Sequence, residues 1–295
     1  MTEDISAQSA SGGPASSPFA ELYTRAVDSL LDIQVEDRRI ETASGQTHLL
    51  TAGDPAAPPV VVLQGGNITN PVTLSWFQAL ADEYHLIAPD TPGQPGKSTG
   101  ETPPAYGPWV CDVLDGLGVD DAAMIGASHG AGVLLEAGVH APERVTAAAL
   151  VVPAGFGTPL SMELVRFALP SLSYRVVPRG WLLRQALAPM FTRRASGIDG
   201  IVLETIGEVL REDDLAAEFP GPEAAALSGF AAPALVVTGE RDPFFPGERT
   251  CKRAAEDLPT LVDCLTLPGE RHFLSPAGQA RATERIRSFL AGQAN

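Results

Sequence analysis

Between Asp121 and Glu136 a short apolar run meets a Gly-x-Ser-x-Gly sequence centred on Ser128 and passes at once into a helix-like segment. Where a buried strand reverses sharply into a helix, the serine at the turn is held in a strained conformation with its hydroxyl exposed, and small neighbours are needed on both sides. Gly126 and Gly130 supply that room. Such a pattern also arises by chance in a chain with 29 glycines, so the meaning of Ser128 rests on what surrounds it.

What surrounds it is an alternation of strand-like and helix-like segments. Pro59 to Leu63 is apolar and β-branched but too short for a helix, which predicts a strand buried on both faces; it ends in Gln64, Gly65, Gly66 and Asn67. A helix is expected over Val72 to Ala81, a strand over His85 to Pro89 and an amphipathic helix over Tyr106 to Leu117. Ala122 to Ile125 is the strand feeding the serine turn, Gly130 to Val139 the helix leaving it, and Thr146 to Val152 the next strand. Upstream, Pro18 to Leu31 has helical spacing, and Ile33 to Ile40 with Thr47 to Thr51 read as two strands turning at Ser44 and Gly45. This order predicts an α/β fold, a mostly parallel central sheet with helices on both faces.

From Gly155 to Phe230 the alternation stops and only helix-like segments follow, such as Ser161 to Ala168, Trp181 to Thr192 and Ile198 to Arg211. Some seventy residues of helix are too long for a loop, which predicts an inserted helical cap at 155–230 between core segments 18–154 and 231–295. Arg166, Arg175, Arg179, Arg184, Arg193 and Arg194 in its first half face Glu204, Glu208, Glu212, Asp213, Asp214 and Glu218 in its second, so solvated faces and salt bridges between the halves are expected. Phe167, Leu172, Trp181, Leu182, Met190 and Phe191 are expected to pack on the sheet or line a pocket. The alternation resumes with a strand at Pro233 to Thr238, a helix at Gly247 to Asp257, a strand at Leu261 to Leu267 and a helix at Pro276 to Leu290.

Composition excludes several functions. A net charge of −16 argues against nucleic acid and anionic membrane surfaces, both of which require a basic patch, and no apolar run approaches the length of a membrane span. Residues 1–17 are rich in Ser, Ala and Gly and begin acidic, unlike a secretory signal, and are expected to be a disordered tail. Cys111, Cys251 and Cys264 are odd in number and widely spaced, which predicts reduced, non-ligand thiols and a cytoplasmic protein. Gly96, Lys97 and Ser98 resemble the end of a phosphate-binding loop, but position 91 is Thr, Pro92 and Pro95 have no N–H, and no helix follows. No cofactor and no metal are expected, the partner is a small-molecule substrate, and oligomeric state is not readable.

A serine hydroxyl becomes nucleophilic when a base takes its proton and a third group holds that base. His48 lies in an early strand, His85 opens one, His129 adjoins Ser128 and His140 ends a helix; His272 alone sits in a loop beyond the end of a predicted parallel strand, on the side of the sheet where Ser128 must be. Of the two loops that could carry the acid, the one after Val152 has no carboxylate and the one after Thr238 offers Glu240 and Asp242.

The order Ser128, Asp242, His272 and the residues around each resemble the α/β-hydrolase family, with a likeness running from about Leu31 to Leu290. Gly239, Asp242 and Pro246 are similar to its acid loop, which favours Asp242 over Glu240; Pro268 to Phe273 resembles its histidine loop, and Asp90 to Gly93 with Gly96 and Ser98 the turn after its fourth strand. Where the family commonly has His-Gly after the third strand this chain has Gln64 and Gly65. The resemblance implies a cofactor-free serine hydrolase acting on an ester, thioester or related acyl bond of a largely apolar small molecule. It implies Ser128 as nucleophile, His272 as base, Asp242 as its orienting acid, and an oxyanion hole of the Gly66 and His129 N–H groups, with Asn67 the alternative donor. A serine nucleophile is unlike the aspartate of haloalkane dehalogenases and epoxide hydrolases. The same capped pocket could instead serve lyase, cyclase or ligand-sensing roles, or an aminopeptidase with a carboxylate from Glu204 to Glu218.

Overall fold

The computed structural model describes residues 18–156, 174, 177–192, 198–212 and 219–293. Eight strands form one sheet in the order β1-β2-β4-β3-β5-β6-β7-β8: β1 Glu36–Thr42, β2 Gly45–Ala52, β3 Pro59–Leu63, β4 His85–Pro89, β5 Ala122–Ala127, β6 Val145–Val151, β7 Ala234–Gly239 and β8 Leu261–Leu267. Strand β2 runs antiparallel to both neighbours and every other pairing is parallel. The helices are α1 Pro18–Leu30, α2 Asn70–Phe77, α3 Tyr106–Leu117, α4 His129–His140, α5 Gly180–Leu187, α6 Ile198–Glu212, α7 Gly247–Asp257 and α8 Pro276–Gln293, with α2 tightening into a 3₁₀ turn at Gln78–Asp82.

The continuous apolar runs of the central strands follow from burial on both faces, because successive side chains point to opposite sides. Val60, Val62, Ile125, Ala147, Ala149, Val151, Leu235 and Val237 pack on one face with Tyr23, Phe77, Ile286 and Phe289 of α1, α2 and α8. Val61, Leu63, Met124, Ala148, Leu150 and Val236 pack on the other with Trp109, Val113, Leu134 and Ala254 of α3, α4 and α7. Register then places the loops. Leu63 pairs with Gly126, so the loops leaving β3 and β5 emerge side by side, and Gly239 pairs with Leu267, which does the same for those leaving β7 and β8. The chain order reverses between β3 and β5, the crevice where open α/β sheets bind ligands.

Expected tail residues 1–17 lie outside the described residues, as do Arg166, Phe167, Leu172, Arg175, Arg193, Arg194, Asp213, Asp214 and Glu218 of the expected cap. In the described part of that segment, Glu204 of α6 pairs with Arg25 of α1 at 2.6 Å, and Glu208 pairs with Arg211 of its own helix. Leu182, Met190 and Phe191 pack partly against the core, whereas Trp181 is 60% exposed. The cysteine expectation is corrected: Cys251 of α7 and Cys264 of β8 form a disulfide with Cα atoms 5.7 Å apart, and only Cys111 is free. Thirteen residues separate the pair in the chain, and α7 packing on β8 brings them together, which spacing alone does not reveal.

Candidate active site

Strand β5 delivers Ser128 to the crevice in a conformation that few residues tolerate, φ 50° and ψ −111°. Backbone strain of this kind costs about 1–3 kcal/mol and persists only where its surroundings fix it. Here the Ser128 N–H donates to Val151 O at 2.9 Å, and Ser128 O accepts from Ala131 N at 3.0 Å and Ala154 N at 3.1 Å. The two flanking glycines are steric necessities. A Cβ at Gly126 would lie 2.6 Å from Ala131 Cα, and one at Gly130 would lie 2.6 Å from Leu63 C. Ser128 remains half-buried, whereas its neighbours Ala127 and His129 are buried.

The other two residues arrive from the paired loops after β7 and β8. His272 Nε2 is 3.0 Å from Ser128 Oγ, and His272 Nδ1 is 2.8 Å from Asp242 Oδ2. Asp242 is buried, and its second oxygen accepts the Phe244 N–H at 2.8 Å and the Phe245 N–H at 3.0 Å, so the turn that follows it fixes the carboxylate. Glu240, the competing acid, is exposed and accepts the Gly269 N–H at 2.7 Å, which ties the two loops together away from the imidazole. The rings of Phe244 and Phe245 flank His272 with centroids 4.9 and 5.7 Å away and help to bury the pair. This arrangement can transfer a proton from the serine hydroxyl to Nε2 while the carboxylate holds Nδ1–H.

The loop after β3 lies beside the elbow. Gly66 is so close to it that a Cβ would stand 3.1 Å from His129 Cβ. Among the described residues neither the Gly66 nor the His129 N–H has an acceptor, whereas the Asn67 N–H is taken by Gln94 Oε1 at 2.8 Å. Two free donors beside Ser128 suit a developing oxyanion, and Asn67 does not supply one. The Gln64 side chain, which marks the departure from the resembled family, is wholly buried and fully paired. It donates to Ile68 O at 2.6 Å and Pro95 O at 2.7 Å and accepts the Thr91 N–H at 2.8 Å, stapling this loop to the one after β4.

Further contacts escape sequence reasoning because they join distant segments. Phe273 N donates to Met190 O at 2.7 Å, Arg271 N donates to Thr192 Oγ1 at 2.8 Å, and Arg271 Nη1 reaches Pro189 O at 2.9 Å. The loop carrying His272 is thus strapped to the segment after α5. The remaining histidines lie elsewhere: His85 opens β4, His140 closes α4, and buried His48 contacts Asp90 at 2.9 Å and Asp37 at 2.6 Å. His129 projects its ring into the interior, where burial lowers its pKa to about 4 and leaves it neutral. Lys97 of the phosphate-loop look-alike is committed to Asp37 at 3.2 Å.

Comparison with known proteins agrees with this fold. A family model described as the alpha/beta hydrolase family matches residues 60–285. The chain is 26% identical over 275 residues to an uncharacterized carboxylesterase, nap, of Bacillus subtilis (strain 168), covering 89% of each. It is 24% identical over 284 residues to carboxylesterase YbfK of the same strain, covering 93% of this chain and 94% of that one. The crystal structure of naproxen esterase (carboxylesterase NP) from Bacillus subtilis superposes with a TM-score of 0.79 at 23% identity, covering 92% of this chain and 96% of that one.

Proposed function

The chain belongs to the alpha/beta hydrolase family, and from that premise we propose that it is a serine hydrolase that cleaves an ester, thioester or related acyl bond of a small, largely apolar substrate through an acyl-enzyme. One observation carries the reading: the hydroxyl of half-buried Ser128 lies 3.0 Å from His272 Nε2, with Asp242 2.8 Å from the opposite ring nitrogen. The carboxylesterase names of the relatives support ester cleavage in particular.

Ser128 Oγ attacks the substrate carbonyl carbon as its proton passes to His272 Nε2. The carbonyl π electrons move to oxygen, and the Gly66 and His129 N–H groups stabilise that oxyanion, each worth about 3 kcal/mol. Collapse re-forms the carbonyl and expels the alcohol or thiol, which takes the proton from His272. A water molecule then gives its proton to His272 and attacks the acyl-serine, and the second collapse returns the proton to Ser128 Oγ and releases the acid. Asp242 keeps Nδ1 protonated and stabilises the imidazolium without itself taking the proton. The described residues 177–192 act as part of a cap beside this crevice; Met190 packing beside Phe244 and Phe245, and the strap from residues 189–192 to the His272 loop, support that role.

A fluorophosphonate probe with a panel of nitrophenyl esters tests the reading. Wild type should be labelled and active, and Ser128→Ala should be neither. Labelling and turnover that survive Ser128→Ala would overturn it; a folded wild type that is neither labelled nor active would point to a non-hydrolytic use of the pocket.

A further inference from the structure

We propose that Gln94 is a positioning residue of the oxyanion hole, its carboxamide clamping the loop after β3 to the elbow and so setting the separation of the Gly66 and His129 N–H groups. The inference rests on the reading of Ser128 as nucleophile.

Gln94 stands on a well-fixed platform. Its own N–H donates to Thr91 O at 3.0 Å, Thr91 N donates to Gln64 Oε1 at 2.8 Å, and Lys97 N donates to Asp90 Oδ2 at 2.7 Å. From there the side chain reaches both halves of the hole. Its Oε1 accepts the Asn67 N–H at 2.8 Å and its Nε2 lies 3.4 Å from His129 Nε2. The His129 ring, kept neutral by burial, can accept at Nε2 from the amide; its Nδ1 has no other partner among the described residues. A Cβ at Gly66 would lie 3.1 Å from His129 Cβ and 3.7 Å from Gln94 Oε1, so the three residues are in mutual contact.

The backbone shows what the clamp restrains. Asn67 sits at φ 60°, a left-handed conformation that a non-glycine residue adopts at some cost. Anchoring the peptide between Gly66 and Asn67 limits rotation of the preceding peptide, which carries the Gly66 N–H. Oxyanion donors act only within a narrow distance of the charge that develops, and a misplacement of about 1 Å can cost on the order of 100-fold in rate. The contact therefore acts on the transition state more than on substrate binding.

The full-length chain tests this with a nitrophenyl ester and a trifluoromethyl ketone, whose serine adduct places an oxyanion in the hole. Gln94→Met should lower kcat by about 10- to 100-fold, weaken the ketone in parallel, and leave KM within about threefold. Gln94→Glu keeps an acceptor for the Asn67 N–H but sets a negative charge beside the developing oxyanion, so it should also lower kcat and weaken the ketone, again with little change in KM. Wild-type kcat in Gln94→Met, a loss carried by KM, or a loss of kcat without parallel weakening of the ketone would each overturn the proposal. If melting shows that Gln94→Met is unfolded, Gln94→Ala takes its place with the same expected split. An inactive Ser128→Ala beside an unaffected Gln94→Met would fail this inference alone; an active Ser128→Ala would fail the nucleophile reading itself.

Discussion

Among the described residues two aspartate–histidine pairs touch a hydroxyl group, and they differ in what the second imidazole nitrogen meets. In one, Asp242 holds His272 Nδ1 at 2.8 Å and Nε2 faces the half-buried Ser128 hydroxyl at 3.0 Å. In the other, Asp90 holds His48 Nδ1 at 2.9 Å, but Nε2 meets a second carboxylate, Asp37, at 2.6 Å. The hydroxyl there is that of Tyr23, which donates to Asp90 Oδ1 at 2.9 Å; burial, then Asp90, push its pKa well up, so it stays a phenol. Lys97 closes the set with an ion pair to Asp37 and its ammonium 4.5 Å from the centre of the Tyr23 ring. A carboxylate–imidazole pair is thus a proton relay only if its far nitrogen is left for a group that substrate can reach. With both nitrogens saturated it is a buried strut, here joining α1, β1, β2 and the loop after β4.

The largest effect should separate the two pairs by activity. Ser128→Ala should lower kcat by about 10⁶ on a nitrophenyl ester, and Asp242→Asn by about 10⁴ with little change in melting temperature, because the asparagine amide enforces the wrong tautomer of His272. At the strut the sign of the comparison reverses. Asp90→Asn should cost about 3–5 kcal/mol in urea unfolding, since it removes one member of a buried charged network, while kcat falls far less than in Asp242→Asn.

A third histidine, which has no carboxylate, sharpens the contrast. His129 is buried with a pKa near 4 against an ordinary value of 6.5. Below pH 6.5 the unfolded chain binds a proton at this residue that the folded chain refuses, so stability should fall as pH drops from 6.5 toward 4, by up to about 3 kcal/mol. Denaturant titrations of wild type and His129→Gln across that window check it: the substitution should remove this part of the slope.

The disulfide is part of neither pair and should matter to stability only. Its 13-residue separation gives a loop-closure contribution of about 3 kcal/mol. Reduction should lower the melting temperature while kcat at 25 °C changes little; a large loss of kcat would show that the link between α7 and β8 also holds the acid loop in place.

Most of the sheet was legible in the sequence because burial on both faces leaves short apolar runs, and the boundaries of α3, α7 and β8 are those that periodicity and turn residues predict. Ser128, Asp242 and His272 were legible for a related reason. Each is marked by local backbone needs: glycines that let the elbow close, and a loop at the end of a parallel strand. The role of Gln64 was not, since a glutamine in place of histidine reads as a departure until its three hydrogen bonds to two loops are seen. Glu204 pairing with α1, and Cys251 with Cys264, were missed because residue type and spacing say nothing of which segments pack together.

Sequence by itself determined the alternation of strands and helices, the strained turn at Ser128 and the order of the three polar residues, because these follow from local sterics and from the two-residue and 3.6-residue periods of burial. Tertiary structure decided which of two aspartate–histidine pairs meets the half-buried Ser128 hydroxyl, which N–H groups remain free beside it, and which cysteines meet. Those outcomes depend on distances between segments far apart in the chain, fixed by strand register and by packing on the two faces of the sheet.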